Sequence, residues 1–347
     1  MLAASLVLSL IFVELGYRTV LFSEGDRFES LRDPALYADY LSEDLYWKLY
    51  FIFDGVFKPP RRAHPALGWV GNFSRTTFRH RDSPQLGRRR PVLLYGDSFA
   101  ACTDSVPCFE DLLNADSQFN SENYLLNYGV GGYGLDQSFL LLQKSVDLFS
   151  DPFVVFSLLT YDLDRSILSV RLGQKPRFQV VDGALELEAT LINEKAEAFF
   201  ASHPPRVVSY LYRRAVFGDL LPSWLSLRLR RESHYRKQKL EVNEKILSAA
   251  LAELRRPDLG FVFLVFHGDR PTDNPLSGGT DWREEFLRQW LEENHVPHIW
   301  SKDVAAADRN LDSASSALYI DPETLHPTEH FNRILALEIK SRVLFPP

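Results

Sequence analysis

The chain has 347 residues, of which 45% are hydrophobic and 13% aromatic, enough for a sizeable core and against a disordered chain. A formal net charge of −7, with no long basic block, excludes general nucleic-acid binding. The two cysteines, Cys102 and Cys108, form neither a disulfide scaffold nor a zinc-ligand pattern. Asp104-Ser-Val-Pro107 interrupts any helix between them, so a small bridged loop and two free buried thiols both stay open. A bridge would mean an oxidising compartment.

The first 22 residues are strongly apolar, broken only by the charges of Glu14 and Arg18, which can pair at i, i+4 on a helix. This stretch reads as an N-terminal membrane anchor. Its uncharged part is shorter than the roughly 20 residues of a span, which places part of the anchor before Met1. Residues 23–90 read as membrane-proximal helices and a lead-in. Val92–Tyr95 is a short buried strand, followed by a turn at Gly96-Asp97 and a broken helix to about Asn114. Tyr124–Asn127 is a second strand and Asp136–Phe149 a helix. Phe153–Leu159 is a third strand. Strand–helix–strand–helix–strand implies a parallel sheet with right-handed crossovers. Residues 166–236 break this rhythm and read as an inserted lid or subdomain, with a hairpin around Asp182-Gly183 and a basic, aromatic region from Arg206 to Arg236. The pattern resumes with a helix over 237–254 and a strand at Phe261–Phe266. A helix at Trp282–Asn294, a short strand at Pro297–Trp300 and a last helix from near Thr328 to about Val343 complete it. The fold class is therefore α/β, a three-layer α/β/α architecture with a mostly parallel central sheet over 91–165 and 237–347.

Ser98 stands at the carboxyl end of the first strand, where open α/β sheets place their ligands, and at the start of a helix. That position suits a nucleophile, and it equally suits a simple helix cap. Four glycines at 129, 131, 132 and 134 follow the second strand and permit a close backbone approach. Near the far end, His326 is preceded by Asp321 and Glu323, either of which could orient the imidazole as a base for a serine. His330 and His267 are competing histidines. The acids at 162, 164, 321 and 323 form no recognised metal-ligand motif with histidine, and no cofactor is expected.

Gly96-Asp97-Ser98-Phe99, the run Asn127–Gly132 and Leu325-His326-Pro327 together resemble, in order, the nucleophile, glycine and histidine blocks of the SGNH/GDSL hydrolase family. The resemblance covers most of 91–343, outside the insertion, and implies an SGNH/flavodoxin-like fold. Glu14-Leu-Gly-Tyr-Arg18 and Lys175-Pro-Arg-Phe178 are similar to segments of the bacterial membrane-anchored members. The resemblance implies Ser98 as nucleophile, His326 as base and a nearby acid as third member. It implies an oxyanion hole that includes the N–H groups of Ser98 and Gly132. Where the family carries an oxyanion asparagine after the third strand, this chain has Tyr161, whose hydroxyl has a longer reach. Asp162 beside it can instead bond Arg165. Asp321 is the family's usual residue type for the acid, whereas Glu323 has the usual spacing. Asp321 is taken as the acid, with Glu323 its rival.

The implied activity is ester hydrolysis through an acyl-enzyme, acting on an acylated envelope glycan or lipid. The partners would be an acyl ester substrate and, through the N-terminus, a membrane, with the domain on the extracytoplasmic, periplasmic side. The alternatives are an acyltransferase of the same mechanism and a non-catalytic envelope binding or assembly protein on a hydrolase scaffold.

Overall fold

The computed structural model describes residues 2–23, 26–33, 36–37, 63–103, 105–188, 208–218, 220–222, 224–225, 229, 236–268, 282–308 and 318–345. The membrane-proximal helices expected before residue 63 fall largely outside them, as does part of the basic region at 206–236.

The core is a five-stranded parallel sheet. Its strands β1 (Arg90–Tyr95), β2 (Asn123–Asn127) and β3 (Phe153–Leu159) come first. A separate antiparallel hairpin follows, β4 (Arg177–Val181) with β5 (Ala184–Glu188). The sheet then resumes with β6 (Gly260–Phe266) and β7 (His298–Trp300). The spatial order is β2-β1-β3-β6-β7.

Successive strand residues point to opposite faces, and both faces are apolar, so the runs read as nearly continuous hydrophobic stretches. Leu93, Tyr95, Val154, Phe156, Phe263 and Val265 enter one buried cluster. Val92, Leu94, Val155, Leu159, Val262, Leu264 and Phe266 enter the other. Each fully buried Leu, Val or Phe side chain contributes about 1.5–3 kcal/mol relative to an exposed one. The short helices α2 (Ser98–Ala101) and α3 (Phe109–Ala115) pack on the second face through Phe99, Phe109 and Leu113. A one-turn α4 (Ser117–Asn120) follows them. The first face is covered by α5 (Leu135–Ser145), α8 (Arg236–Leu254) and α9 (Trp282–Glu293). Between α5 and α8 in the chain lie the one-turn α6 (Asp162–Arg165) and α7 (Tyr210–Phe217). The second face is completed by α10 (Ser301–Ala307) and α11 (Glu329–Leu344). The three-layer architecture is thus the one the strand and helix pattern predicts.

The β4–β5 hairpin turns at Asp182-Gly183, both at positive φ (50° and 81°), as a two-residue hairpin turn with the twist of its strands requires. It packs onto the main core through Phe178, whose ring lies 5.7 Å from that of Phe139. Beneath it the Lys175 ammonium and the Asp136 carboxylate form a fully buried ion pair. Burial pushes the Asp136 carboxyl up to about 6, against the pull of Lys175.

Helix α1 (Leu2–Leu21) leaves the apolar side chains from Val7 to Val13 exposed. Its two charges have a structural use. Glu14 accepts hydrogen bonds from Ser209 Oγ (2.8 Å), Tyr210 N (2.9 Å) and Leu211 N (3.0 Å), closing the amino end of α7. Arg18 pairs with Glu14 at 2.7 Å, as the i, i+4 spacing predicts, and lies over the Tyr210 ring. Among the described residues, no helix is long and apolar enough to cross a membrane.

Candidate active site

Strand β1 delivers the chain to Gly96, Asp97 and Ser98 at the carboxyl edge of the sheet. A Cβ on Gly96 would stand 2.0 Å from Ser157 Oγ and 2.9 Å from Ala100 Cβ, so the turn is tight enough to demand glycine. The helix cap is Asp97, whose Oδ1 accepts the Phe99 N–H at 2.9 Å. Ser98 is therefore the first helical residue and its hydroxyl is not used for capping. Helix α2 is only four residues long and ends at Cys102, in the left-handed region at φ 57°. So short a helix contributes little macrodipole, and what matters locally is its free N–H groups. Cys102 and Cys108 are disulfide-bonded, which resolves the open alternatives in favour of the bridge.

The glycine loop after β2 lies directly on α2. A Cβ on Gly129 would meet Ala101 N at 2.5 Å, and one on Gly131 would come within 3.9 Å of Ser98 Cβ. Gly132 has φ 81° and is overhung by Leu172. Asn127 fixes the loop. Its Nδ2 donates to Ala100 O (2.8 Å) and Glu110 Oε2 (2.6 Å), while its Oδ1 accepts the Gly129 N–H. Among the described residues, neither the Ser98 nor the Gly132 backbone N–H donates a hydrogen bond.

The histidine loop reaches the same edge. Its turn is closed by Asp321 N to His326 O (2.9 Å) and Leu325 N to Asp321 O (2.8 Å), with Leu325 at φ 58°. The imidazole of His326 packs against Phe99, the residue after Ser98 in the chain, with ring centroids 5.5 Å apart. Asn332 on α11 donates to Pro107 O at 3.1 Å and so ties the histidine helix to the disulfide loop. His326 Nδ1 lies 2.7 Å from Thr324 O. A carbonyl only accepts, so Nδ1 carries the proton and Nε2 is left as the basic nitrogen.

Among the described residues, neither candidate acid hydrogen-bonds the imidazole. Asp321 Oδ1 accepts the Glu323 and Thr324 N–H groups at 2.9 and 2.8 Å, and these bonds hold its carboxyl below the usual range. Glu323 is exposed. Among the described residues, no hydrogen bond joins Ser98 to His326.

The competing histidines have structural partners. His330 Nε2 meets Asp308 Oδ2 at 2.5 Å. His267 bonds Ser301 Oγ through its N–H and Nδ1 and packs on Trp300. Tyr161 packs in the second buried cluster beneath the Arg283 guanidinium, and its hydroxyl is buried. Asp164 is held by Lys239 (2.6 Å) and Arg283 (2.7 Å). Asp162 bonds Arg165 at 2.6 Å, the structural use its spacing allows. Burial, reinforced by the neighbouring Asp97 charge, pushes the Asp162 carboxyl well above its ordinary range despite Arg165.

No family model matches the chain, and no curated protein matches it. Among solved structures it is similar to LAE5, an alpha/beta hydrolase enzyme from the metagenome of Lake Arreo, Spain. That match has 15% identity over 74% of this chain and 96% of that one, with a TM-score of 0.41. It is similar to Axe2, an acetylxylan esterase from Geobacillus stearothermophilus, at 14% identity over 75% and 96%, TM-score 0.41. It is also similar to the lipase/acylhydrolase from Enterococcus faecalis, at 13% identity over 73% and 96%, TM-score 0.39. Similarity this low leaves the chemistry of the chain to its own geometry.

Proposed function

We propose that the chain is a serine ester hydrolase of the SGNH/GDSL type, acting through an acyl-enzyme on Ser98. The observation that carries this reading is the division of labour at the turn. Asp97 takes the capping role, which leaves the Ser98 hydroxyl out of it, and the His326 imidazole packs on the next residue, Phe99, with Nε2 as its basic nitrogen. Ser98 Oγ attacks the ester carbonyl while its proton passes to His326 Nε2. The tetrahedral oxyanion is held by the Ser98 and Gly132 N–H groups. His326 then returns the proton to the departing alcohol oxygen. Water repeats the sequence and frees the acid.

The substrate class follows from the setting and is an acylated envelope glycan or lipid. The exposed apolar residues of α1 support contact with a membrane, and the Cys102–Cys108 bridge supports an oxidising, extracytoplasmic compartment. Capture of the acyl group by a sugar hydroxyl instead of water would make the same site an acyltransferase. One observation favours a different class, a non-catalytic envelope binding or assembly protein. Among the described residues, no hydrogen bond joins Ser98 to His326, and neither Asp321 nor Glu323 hydrogen-bonds the imidazole.

Hydrolysis of p-nitrophenyl acetate by the full chain separates these readings. The esterase reading expects turnover that falls by about 10⁴-fold or more in Ser98→Ala and in His326→Ala. Turnover unchanged in both variants would remove it.

A further inference from the structure

One nitrogen atom joins three segments at the carboxyl edge of the sheet, two of which carry the site. Arg165 Nη1 donates to Asp97 Oδ2 (3.0 Å) in the turn after β1, and to Tyr133 O (2.8 Å) in the glycine loop after β2. The nitrogen has two hydrogens, so one N–H is shared, and the third acceptor is Asp162 Oδ1 (2.6 Å) in the segment after β3. The two carboxylates are themselves committed. The other oxygen of Asp97 caps the helix that Ser98 opens, and Asp162 Oδ2 accepts the Leu159 N–H at the end of β3. The guanidinium and both carboxylates are buried. Burial works against the Arg165 cation, but the two carboxylates outweigh it and hold it charged. A Cβ on Gly134 would stand 2.8 Å from Arg165 Cβ, so the glycine loop is seated closely against this residue.

A buried cation between carboxylates adds little net stability when set against apolar packing. What it supplies here is geometry. The Ser98 and Gly132 N–H groups lie on two different loops, and they can serve one oxyanion only if those loops keep their spacing.

We propose that Arg165 is a positioning residue. Through Asp97 and the Tyr133 carbonyl, it sets the Ser98 turn against the glycine loop. This inference rests on the reading of Ser98 as a nucleophile. Misplacement of reacting groups by about 1 Å costs on the order of 10²-fold in rate. Lysine at 165 keeps the charge, but its ammonium ends one bond short of the position of Arg165 Nη1 and cannot meet all three acceptors. Asparagine at 97 keeps the capping oxygen and removes the charge that Arg165 grips.

The test is the rate at which a fluorophosphonate labels Ser98 in the full chain, for wild type, Arg165→Lys, Asp97→Asn and the double variant. Far-ultraviolet circular dichroism is recorded on each, and kcat and KM are measured on p-nitrophenyl acetate. We expect labelling and kcat to fall by about 10²-fold in each single variant, with KM within a few fold. The double variant should be no slower than either single one, because both remove the same bond. Folded single variants that label at the wild-type rate, or losses that multiply in the double variant, overturn the proposal and leave the Ser98 reading intact. If Arg165→Lys does not fold, Asp97→Asn decides alone, and its labelling at the wild-type rate overturns the proposal. A folded wild type that takes no label overturns the Ser98 reading and this proposal with it.

Discussion

At the scale of single residues, the site is built by close contacts that leave little room for substitution. The Cβ of Gly96→Ala would be driven into Ser157 Oγ. Overpacking of this kind costs about 1–3 kcal/mol. Urea unfolding should show that loss, and Ser157→Gly in the same chain should recover part of it. No loss would mean that the turn relaxes freely. Tyr161 is tested by Tyr161→Phe. With its hydroxyl buried in the second cluster, turnover should stay within about tenfold of wild type, whereas a lost oxyanion donor costs about 10²–10³-fold. Asp321→Asn should likewise stay within about tenfold. Its Oδ1 shapes the turn, which an amide oxygen can also do, while the Thr324 carbonyl orients His326. A fall towards the roughly 10⁴-fold that follows when an orienting carboxylate is replaced by an amide would restore Asp321 to the imidazole.

At the scale of elements, the ends of helices do much of the joining. Glu14, isolated in an apolar stretch, closes the amino end of α7, a partner 195 residues away that no local pattern reveals. Asp116 caps α4 through the Phe119 N–H and also receives Lys340 from α11, at 2.8 and 2.7 Å. The Lys340 bond, followed by the cap bond, lowers the Asp116 carboxyl below its ordinary 3.8. A carboxylate depressed in the folded state stabilises above its unfolded value, and the contribution disappears as pH falls through the folded value. Asp116→Asn keeps the cap and loses the charge. Its melting temperature should therefore lie below wild type near neutral pH, and the gap should close at pH values below about 3.8. A gap of constant size across this range would show that the charge is not its source.

At the scale of the whole molecule, the sheet was legible because every central strand is a short apolar run buried on two faces. Phe153–Leu159 reads the same from sequence and structure. The short helix Ser301–Ala307 was not legible, since seven residues show too few turns for a helical period. Nothing in the sequence marks Lys175 as fully buried against Asp136, because pairing across 39 positions leaves no local mark. That Ser98 follows the first strand at a sharp turn, and that His326 stands in a loop before the last helix, was legible from the strand and helix pattern. The disulfide was legible only as one of two outcomes. Arg165 as the link between three loops, and Thr324 as the partner of the imidazole, were hidden. The first depends on contacts between distant loops, and the second is a backbone carbonyl that carries no side-chain signal.

The central claim is that Ser98 is an activated nucleophile served by His326. It is tested most directly by treating the full chain with a fluorophosphonate and locating the adduct by peptide mass spectrometry, with Ser98→Ala and His326→Ala alongside. The account predicts one adduct, on Ser98, absent from the first variant and reduced to background in the second. A folded protein that takes no adduct, or one whose Ser98 labels equally without His326, would contradict it.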